Sequence, residues 1–294
     1  MMLGIAVASC ASHPALSRPS AAPVASDASP AVPEPVPRDL ILTGTARQGS
    51  VMIGRAPMGT RTLMLDGRPL PFAPDGSFLI AFDRDAPPTS LLLAIDDQGR
   101  ETLRAIPVGQ GNWQIEQVDA SITGGAATSA EFKARRGAEL ARIAAARDLM
   151  RPGSSEGWRQ SFVWPVVARI SGRFGAQRVY RGTPGSYHSG VDLAAAAGTV
   201  YVAPADGVVI LAADAPYTLE GNLLLIDHGM GLNSAFLHSQ RLLVKVGEVV
   251  RRGQPIGIVG ATGRATGPHL HWGMKWNDAR LDPVTLVDLA APPR

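Results

Sequence analysis

Short apolar runs separated by turn residues fill the chain between about residues 40 and 118. Aspartate-glycine pairs lie between some of these runs, at 66–67 and 75–76, where glycine can adopt the positive φ of a tight hairpin at no steric cost. Strands at this spacing predict a small antiparallel β-sandwich, which we assign to residues 39–122. The sequence leaves three roles open for this domain: a spacer, a docking module, or a cover over a cleft elsewhere in the chain. The apolar runs lie at 51–53, 62–65, 78–82, 91–95 and 103–108.

The pattern changes to a helical period over residues 128–151. Thr128 and Glu131 have the spacing of a capping box, which marks a helix start. The helix should connect two domains and pack between them, with contact to an anionic polymer as the alternative. Its predicted apolar face carries Phe132, Leu140, Ile143 and Met150, and its opposite face carries Lys133, Arg135, Arg142 and Arg147.

A second β-rich region follows, from about residue 160 to residue 290. Glycines punctuate its apolar runs repeatedly, and no helical period of useful length interrupts them. This pattern predicts an antiparallel sheet with tight corners, partly rolled into a barrel. The expected fold class is therefore mostly β, with an amino-terminal sandwich, a linker helix and a carboxy-terminal sheet domain. The predicted strands lie at 200–203, 207–211, 223–227, 249–250, 256–259 and 269–274.

The amino terminus has a different character. Residues 3–8 form an apolar run that is too short to cross a bilayer, and small residues precede Cys10. Residues 1–10 resemble a truncated bacterial lipoprotein signal, which predicts lipidation of Cys10; the alternative is an exported or cytosolic protein whose cysteine has no such role. In residues 11–38, 19 of 28 positions are Ala, Pro or Ser, which predicts an extended tether because such a segment cannot bury enough apolar area to fold.

Composition and charge exclude several classes of protein. The 294 residues include 32 Gly and 24 Pro, which argues against a coiled coil or a long helical bundle. The formal net charge of +3 comes without any run of Lys and Arg interleaved with aromatics, so we expect no nucleic-acid partner. One cysteine allows neither an intramolecular disulfide nor a Cys-rich zinc site.

Histidines mark the candidate chemistry, because five of the six lie between residues 188 and 271. His269 and His271 are two positions apart on a predicted strand, so their side chains share one face. His188 and Asp192 form a second short pattern. Two imidazoles and a carboxylate would give a tetrahedral metal three ligands and leave the fourth position for water, as in a catalytic zinc site. His238 could hydrogen-bond that water or a developing oxyanion.

Longer stretches around these histidines resemble the lysostaphin/LytM-type zinc metallopeptidases, in order and over about residues 164–287. The resemblance implies one zinc ion bound by His188, Asp192 and His271, with His238 and His269 as catalytic histidines. That family cuts peptide cross-links of bacterial peptidoglycan, and no ligand of its pattern is missing here. The stretches that carry the resemblance are 187–192, 198–200, 203–209, 227–231, 236–238, 247–257 and 260–271.

The resemblance sets the functional expectations. We expect a zinc endopeptidase acting on peptidoglycan stem peptides, with Arg264 and Arg173 as candidate substrate-binding residues. The alternative is a catalytically silent module of the same fold that binds the wall or activates an amidase. A carrier-type barrel around residues 246–254 is disfavoured, because Lys245 lacks the flanking methionines of a modified lysine. The expected location is the cell envelope, with the exported protein periplasmic and lipid-anchored through Cys10 in a Gram-negative bacterium.

Overall fold

The computed structural model describes residues 39–120, 129–150, 153–213 and 215–287. The predicted lipidation site Cys10, the tether at 11–38 and Thr128 lie outside the described residues. Among the residues that are described, no helix combines the length and the apolar character needed to span a membrane.

Two antiparallel sheets form the amino-terminal part, in the orders β1-β2-β5 and β4-β3-β6-β7. Strand β6 alternates between buried and more open positions, as a half-buried strand does, and Leu92 is one of its buried residues. Strand β5 is buried at all five positions, Phe78 and Ile80 among them. The predicted sandwich is confirmed. The strands are β1 (Ile41–Thr43), β2 (Val51–Arg55), β3 (Thr60–Leu65), β4 (Arg68–Pro69), β5 (Ser77–Ala81), β6 (Thr89–Asp96) and β7 (Glu101–Pro107).

The carboxy-terminal part contains the remaining strands and two short 3₁₀ helices, Gly157–Arg159 and Pro283–Thr285. Its first strand in the chain, β8 (Ile115–Val118), pairs in parallel with β10 (Gln177–Tyr180), although the sequence boundaries group it with the sandwich. The other strands are β9 (Ile170–Gly172), β11 (Thr183–Pro184), β12 (Gly190–Leu193), β13 (Val200–Val202), β14 (Gly207–Ala212), β15 (Asn222–Gly229), β16 (Leu232–Ser239), β17 (Arg241–Leu242), β18 (Val249–Val250), β19 (Pro255–Ile258), β20 (Leu270–Trp276) and β21 (Ala279–Leu281).

One large antiparallel sheet dominates this part, in the order β18-β14-β15-β16-β20-β12-β9, with β21 also paired to β20. Two smaller sheets, β13-β19-β17 and β11-β10-β8, complete it. The predicted mostly β, antiparallel architecture is confirmed.

The register of the large sheet matters for the chemistry, because β12 and β20 pair Asp192 directly with His271. Residues opposite each other on antiparallel strands have neighbouring side chains, so the pairing places a carboxylate next to an imidazole.

The single α-helix among the described residues, α1, runs over Ala130–Asp148. Ser129 caps it, and its side chain accepts a hydrogen bond from the Phe132 N–H, so the predicted cap at Thr128 is one residue too early. The buried residues of the helix are Glu139, Ile143 and Ala146. The predicted apolar face is therefore wrong in part, because Leu140 is 48% exposed.

The large sheet is the partner of α1. Ile143 and Ala146 share a hydrophobic cluster with Ile210, Leu223 and Leu225, which lie on β14 and β15. The prediction that the helix packs between two domains is wrong, because these cluster partners all belong to the carboxy-terminal sheet. The sequence pattern is misleading because Glu139 is buried, whereas a hydrophobic period assigns an acidic residue to the solvent face.

Polar contacts attach the helix to the loop before β15. Glu139 is 7% exposed, and its carboxylate accepts hydrogen bonds from the backbone N–H and the hydroxyl of Thr218, both at 2.7 Å. Arg136 donates two hydrogen bonds of 2.6 Å to the two carboxylate oxygens of Glu220. Bidentate arginine-carboxylate pairs are among the stronger side-chain contacts. The helix is thus held in one orientation over the sheet.

Contacts between the sandwich and the carboxy-terminal part involve Arg84, which is 7% exposed. Its guanidinium donates to the Gly175 carbonyl at 3.1 Å and to the Gln177 side chain at 2.9 Å. It also lies 4.6 Å from the ring centroid of Tyr187, within the range of a cation-π contact. Tyr187 precedes His188, so the sandwich supports the chain segment that carries one of the candidate ligands.

His228 lies in the interior, away from the other histidines of the candidate site. It is 0% exposed, its Nδ1 is 2.8 Å from the Asp206 carbonyl and its Nε2 is 2.8 Å from the Ser234 hydroxyl. Its ring also contacts Phe162 edge to face, with the centroids 5.0 Å apart. Both nitrogens are engaged, which is the arrangement of a structural histidine.

We expect the stability of the protein to fall between pH 6.5 and about 4 because of His228. Burial lowers the pKa of His228 from 6.5 to about 4, so the unfolded chain binds a proton in this range and the folded chain does not. This contribution is fully present above pH 6.5 and is lost as the pH falls toward 4, by about 3 kcal/mol. Urea unfolding of the metal-free protein at a series of pH values measures it.

His228→Gln should flatten that pH dependence, because an amide does not titrate in this range. Phe162→Leu is the matched control, because it leaves a cavity against the same ring and destabilises the protein without removing the titrating group. Equal slopes for wild type and His228→Gln would contradict the assignment.

Candidate active site

Three side chains converge at the junction of β12 and β20. His188 Nε2 lies 3.1 Å from Asp192 Oδ1 and 3.0 Å from His271 Nδ1, and the third side of the triangle, from His271 Nδ1 to Asp192 Oδ1, is 2.9 Å. Asp192 and His271 are brought together by the strand register, and His188 reaches them from the loop before β12. The structure therefore brings together the three residues that the sequence motifs predict as metal ligands.

The donor set fits a metal ion. Three lone-pair atoms in such a triangle repel one another unless protons or a cation lie between them. Ligand atoms around a tetrahedral zinc, at about 2.0–2.1 Å from the ion, lie about 3.3 Å apart, close to the separations found here. Among the described residues, this is the one group of three His, Cys, Asp or Glu side chains whose ligand atoms could hold a metal ion.

Electrostatics in the triangle favour an ionised carboxylate. Burial raises the pKa of Asp192, but hydrogen bonds from His188 and His271 outweigh burial and hold that pKa well below its usual range. Burial lowers the pKa of His271, and the hydrogen bond with Asp192 offsets only part of that effect. A negative carboxylate next to a neutral imidazole is the protonation state that binds a divalent cation.

A backbone carbonyl orients His188. Its Nδ1 lies 3.0 Å from the carbonyl oxygen of Arg173, so Nδ1–H donates to that oxygen and Nε2 faces Asp192 and His271. Such an outer contact fixes the tautomer of a metal-binding histidine. Arg173, a predicted substrate-binding residue, thus contributes its carbonyl here, and it is exposed.

Two further imidazoles flank the triangle, His238 and His269, with ring centroids 4.8 Å apart. His238 Nδ1 is 2.8 Å from the Thr262 carbonyl, and His269 Nδ1 is 2.8 Å from the Gly267 carbonyl. Each ring donates its Nδ1–H to a carbonyl, which leaves Nε2 as a lone-pair acceptor. His269 Nε2 lies 3.7 Å from Asp192 Oδ1, so that acceptor faces the triangle.

The backbone of His238 adopts an unusual conformation. Its φ is 65°, in the left-handed region that non-glycine residues rarely enter. The conformation is held by the backbone N–H of His238, which donates to the Glu220 carbonyl at 2.8 Å, and by the ring contact with Thr262. Burial lowers the pKa of His238, and the Thr262 carbonyl offsets this only in part. The ring is therefore kept neutral and oriented at a cost of about 1 kcal/mol in backbone strain.

Two glycines, Gly172 and Gly190, have no side chain and so provide the space that the triangle occupies. A Cβ at Gly172 would lie 2.3 Å from Asp192 Oδ2 and 3.1 Å from His188 Cε1. A Cβ at Gly190 would lie 2.7 Å from His271 Nε2 and 2.5 Å from the Trp272 carbonyl. The distances of 2.3, 2.5 and 2.7 Å are too short for real Cβ contacts, so a side chain at either position would displace a candidate ligand.

Gly172→Ala is expected to weaken metal affinity by about 10- to 100-fold, the range seen when contacts that orient ligands are disturbed. The added methyl group would push against the Asp192 carboxylate, whereas the backbone at this position needs no change. Competition against a chromogenic chelator measures the affinity. Gly137→Ala is the matched control, because a Cβ there meets no atom within 4 Å. Affinity equal to wild type for Gly172→Ala would contradict this geometry.

Cavities open on both sides of the triangle. One of about 820 Å³ lies at His188 and is lined also by Tyr180, Gln177 and Arg264. The other, of about 210 Å³, begins at His271. Arg264, a predicted substrate-binding residue, is thus placed in the same cavity as a candidate ligand, and it is exposed.

Comparison with known proteins agrees with the geometry. Residues 186–283 match Peptidase family M23. Among curated proteins, the chain is 43% identical over 105 residues to the peptidoglycan DD-endopeptidase ShyA of Vibrio cholerae, a match that covers 35% of this chain and 24% of ShyA. It is 38% identical over 127 residues to the DD-carboxypeptidase/endopeptidase Mpg of Neisseria meningitidis serogroup B, covering 42% of this chain and 28% of Mpg. The chain thus spans about a quarter of the length of these relatives.

A longer likeness comes from a solved structure. A protein from Pseudomonas aeruginosa described as a peptidase M23 superposes with a TM-score of 0.63 and is 29% identical, covering 83% of this chain and 96% of that one. The likeness extends well beyond the segment that carries the histidines. Residues 186–283 form a domain of Peptidase family M23, the metallopeptidase family of the lysostaphin/LytM type that the histidine motifs indicate.

Proposed function

We propose that this protein is a zinc-dependent endopeptidase that hydrolyses peptide cross-links of bacterial peptidoglycan. The observation that carries the proposal is the triangle of His188, Asp192 and His271 with two further imidazoles beside it. The donor set of two nitrogens and one oxygen is that of catalytic zinc sites, which keep a fourth position open. The similarity to ShyA, a peptidoglycan DD-endopeptidase, and to Mpg, a DD-carboxypeptidase/endopeptidase, supports peptidoglycan as substrate and a DD-peptide bond as the target.

The roles of the residues follow from their contacts. His188, Asp192 and His271 would hold the zinc ion. When bound, zinc supplies a water of lowered pKa, about 7, and polarises the scissile carbonyl. His238 and His269 have acceptor Nε2 atoms, because their Nδ1–H groups are engaged by the carbonyls of Thr262 and Gly267.

Hydrolysis needs one proton to move. The attacking water forms a bond from its oxygen to the carbonyl carbon and loses a proton, which His238 or His269 accepts at Nε2. The same nitrogen then returns the proton to the leaving amine as the C–N bond breaks. The histidine that is not the base can donate a hydrogen bond to the carbonyl oxygen, where negative charge develops, only when it carries a second proton at Nε2, because its Nδ1–H is engaged by a backbone carbonyl.

A silent module of the same fold is the rival proposal. The complete donor set and the two anchored imidazoles favour an enzyme, since a module that only binds needs neither. We also propose that the protein acts in the cell envelope, where peptidoglycan lies; attachment through Cys10 stays a prediction from the sequence.

Digestion of purified sacculi tests the proposal. We expect the zinc-loaded protein to convert cross-linked dimeric muropeptides into monomers, as measured by liquid chromatography and mass spectrometry. Chelation should stop the conversion, and added zinc should restore it. Intact dimers after incubation with protein that carries one zinc ion per chain would reject the endopeptidase and favour the silent module.

A further inference from the structure

The cavity at His271 continues along strand β20. His271, Gly273 and Lys275 are two positions apart, so their side chains share the face of the sheet that bears the triangle. Gly273 and its cross-strand partner Ala235 are small, which leaves room above them. Four residue steps from His271 to Lys275 correspond to about 13 Å along an extended strand. An extended peptide of about four residues would cover the same distance.

Helix α1 forms the wall of this cavity. Leu140, Ile143 and Arg147 line it from the helix, while Leu223 and Leu225 line it from β15. The exposure of Leu140, which is unusual for a leucine on the inner side of a docked helix, follows from its position at this opening. Because Glu139 and Arg136 fix the helix to residues 218–220, the cavity exists before any ligand enters.

Positive charge gathers at the end of the cavity away from the triangle. Arg147, Lys275 and Arg280 all line it, the first two half-buried and the third exposed. Arg147 donates from Nε to the Asn233 side chain at 3.2 Å, which aims the guanidinium. In the part of the chain that the structure describes, no salt bridge joins any of these three side chains to a carboxylate.

Burial and neighbouring positive charge lower the pKa of two of these cations, Lys275 and Arg147. Burial lowers the pKa of Lys275, and the positive charges of Arg147 and Arg280 lower it further. Burial likewise lowers the pKa of Arg147, with a further effect from Arg280. Nearby carboxylates oppose this effect. Asp278 raises the pKa of both groups, Glu220 raises that of Arg147, and Asp83 raises that of Lys275. The pKa of each group is nevertheless lowered overall. A bound anion would offset this repulsion.

We propose that Arg147, Lys275 and Arg280 form a subsite that binds a free carboxylate of the substrate peptide, about 13 Å along β20 from the residue that would hold the metal. The inference rests on the proposed function, because it takes the stem peptides of peptidoglycan as the ligand. Those peptides carry carboxylates that are free unless they are amidated. The subsite would therefore determine which wall peptides the enzyme accepts.

Kinetics on a matched pair of substrates test the subsite. The pair is a cross-linked dimeric muropeptide with free carboxylates and the same dimer with those carboxylates amidated. We expect the wild type to show a KM at least about 10-fold lower for the free acid, as expected for the loss of one charge-assisted contact. Arg147→Gln and Lys275→Gln should each raise KM for the free acid about 10-fold, with the loss in KM rather than in kcat. On the amidated dimer, the variants and the wild type should converge.

Lys133→Gln is the matched control, since Lys133 is an exposed cation on the same helix and does not line the cavity. Metal content and circular dichroism show whether each variant is folded. Equal KM values of the wild type for the two dimers, or variants that do not differ from Lys133→Gln, would overturn the subsite.

Calorimetric titration of uncross-linked stem peptide into zinc-loaded protein separates the two proposals. Binding of the free acid that is weakened by Arg147→Gln, without any cleavage of dimers, would support the subsite and reject the endopeptidase. Cleavage without a difference between the free and the amidated peptide would support the endopeptidase and reject the subsite.

Discussion

His271→Ala is expected to abolish metal binding and hydrolysis together. His271 Nδ1 is one corner of a triangle with 2.9 and 3.0 Å sides, and its removal leaves one imidazole and one carboxylate, too few to retain zinc against solvent. Loss of the ion removes both the activated water and the polarised carbonyl, each worth several kcal/mol. Turnover on cross-linked muropeptides should therefore fall by at least about 10,000-fold.

His269→Ala provides the matched control. His269 lies two positions before His271 on the same face, so both variants replace an imidazole by a methyl group in nearly the same place. We expect His269→Ala to retain about one zinc ion per chain while losing activity, because its ring is proposed to carry protons and not metal. Metal content by mass spectrometry and dimer cleavage on the same samples separate the two roles. Stoichiometric zinc in His271→Ala, or its loss in His269→Ala, would contradict the assignment.

Much of this architecture can be predicted from the sequence. The Asp66-Gly67 pair marks the β3-β4 hairpin of the sandwich, and the family resemblance over 164–287 is confirmed by the match at 186–283. The spacing of His269 and His271 predicts a shared face, because the side chains of a strand alternate. The pairing of Asp192 with His271 could not be derived in this way, because strand register depends on how distant segments meet.

Contacts made by backbone atoms cannot be predicted from residue types in the sequence. The carbonyls of Arg173, Thr262 and Gly267 orient three of the histidines, yet any residue supplies a carbonyl. The partner of helix α1 is hidden for a related reason. Its anchoring residue is the buried Glu139, which a hydrophobic period assigns to the solvent face.

The second large effect is expected at His238. His238→Ala should lower kcat by about 100- to 1,000-fold while leaving zinc bound, because it removes an imidazole whose Nε2 can accept a proton and return it as the reaction proceeds. Rapid metal analysis and kcat for the dimeric muropeptide are the two measurements. Loss of the ion would instead show that His238 supports the ligands.

His238→Asn separates the imidazole from the backbone strain. The residue has a φ of 65°, which alanine tolerates poorly and asparagine tolerates better. If the loss in His238→Ala came from a distorted backbone, asparagine would restore much of the activity. Because the ring is held neutral by burial and is oriented by Thr262, we expect asparagine to restore stability but not turnover. Equal recovery of both would assign His238 a purely structural role and leave His269 as the base.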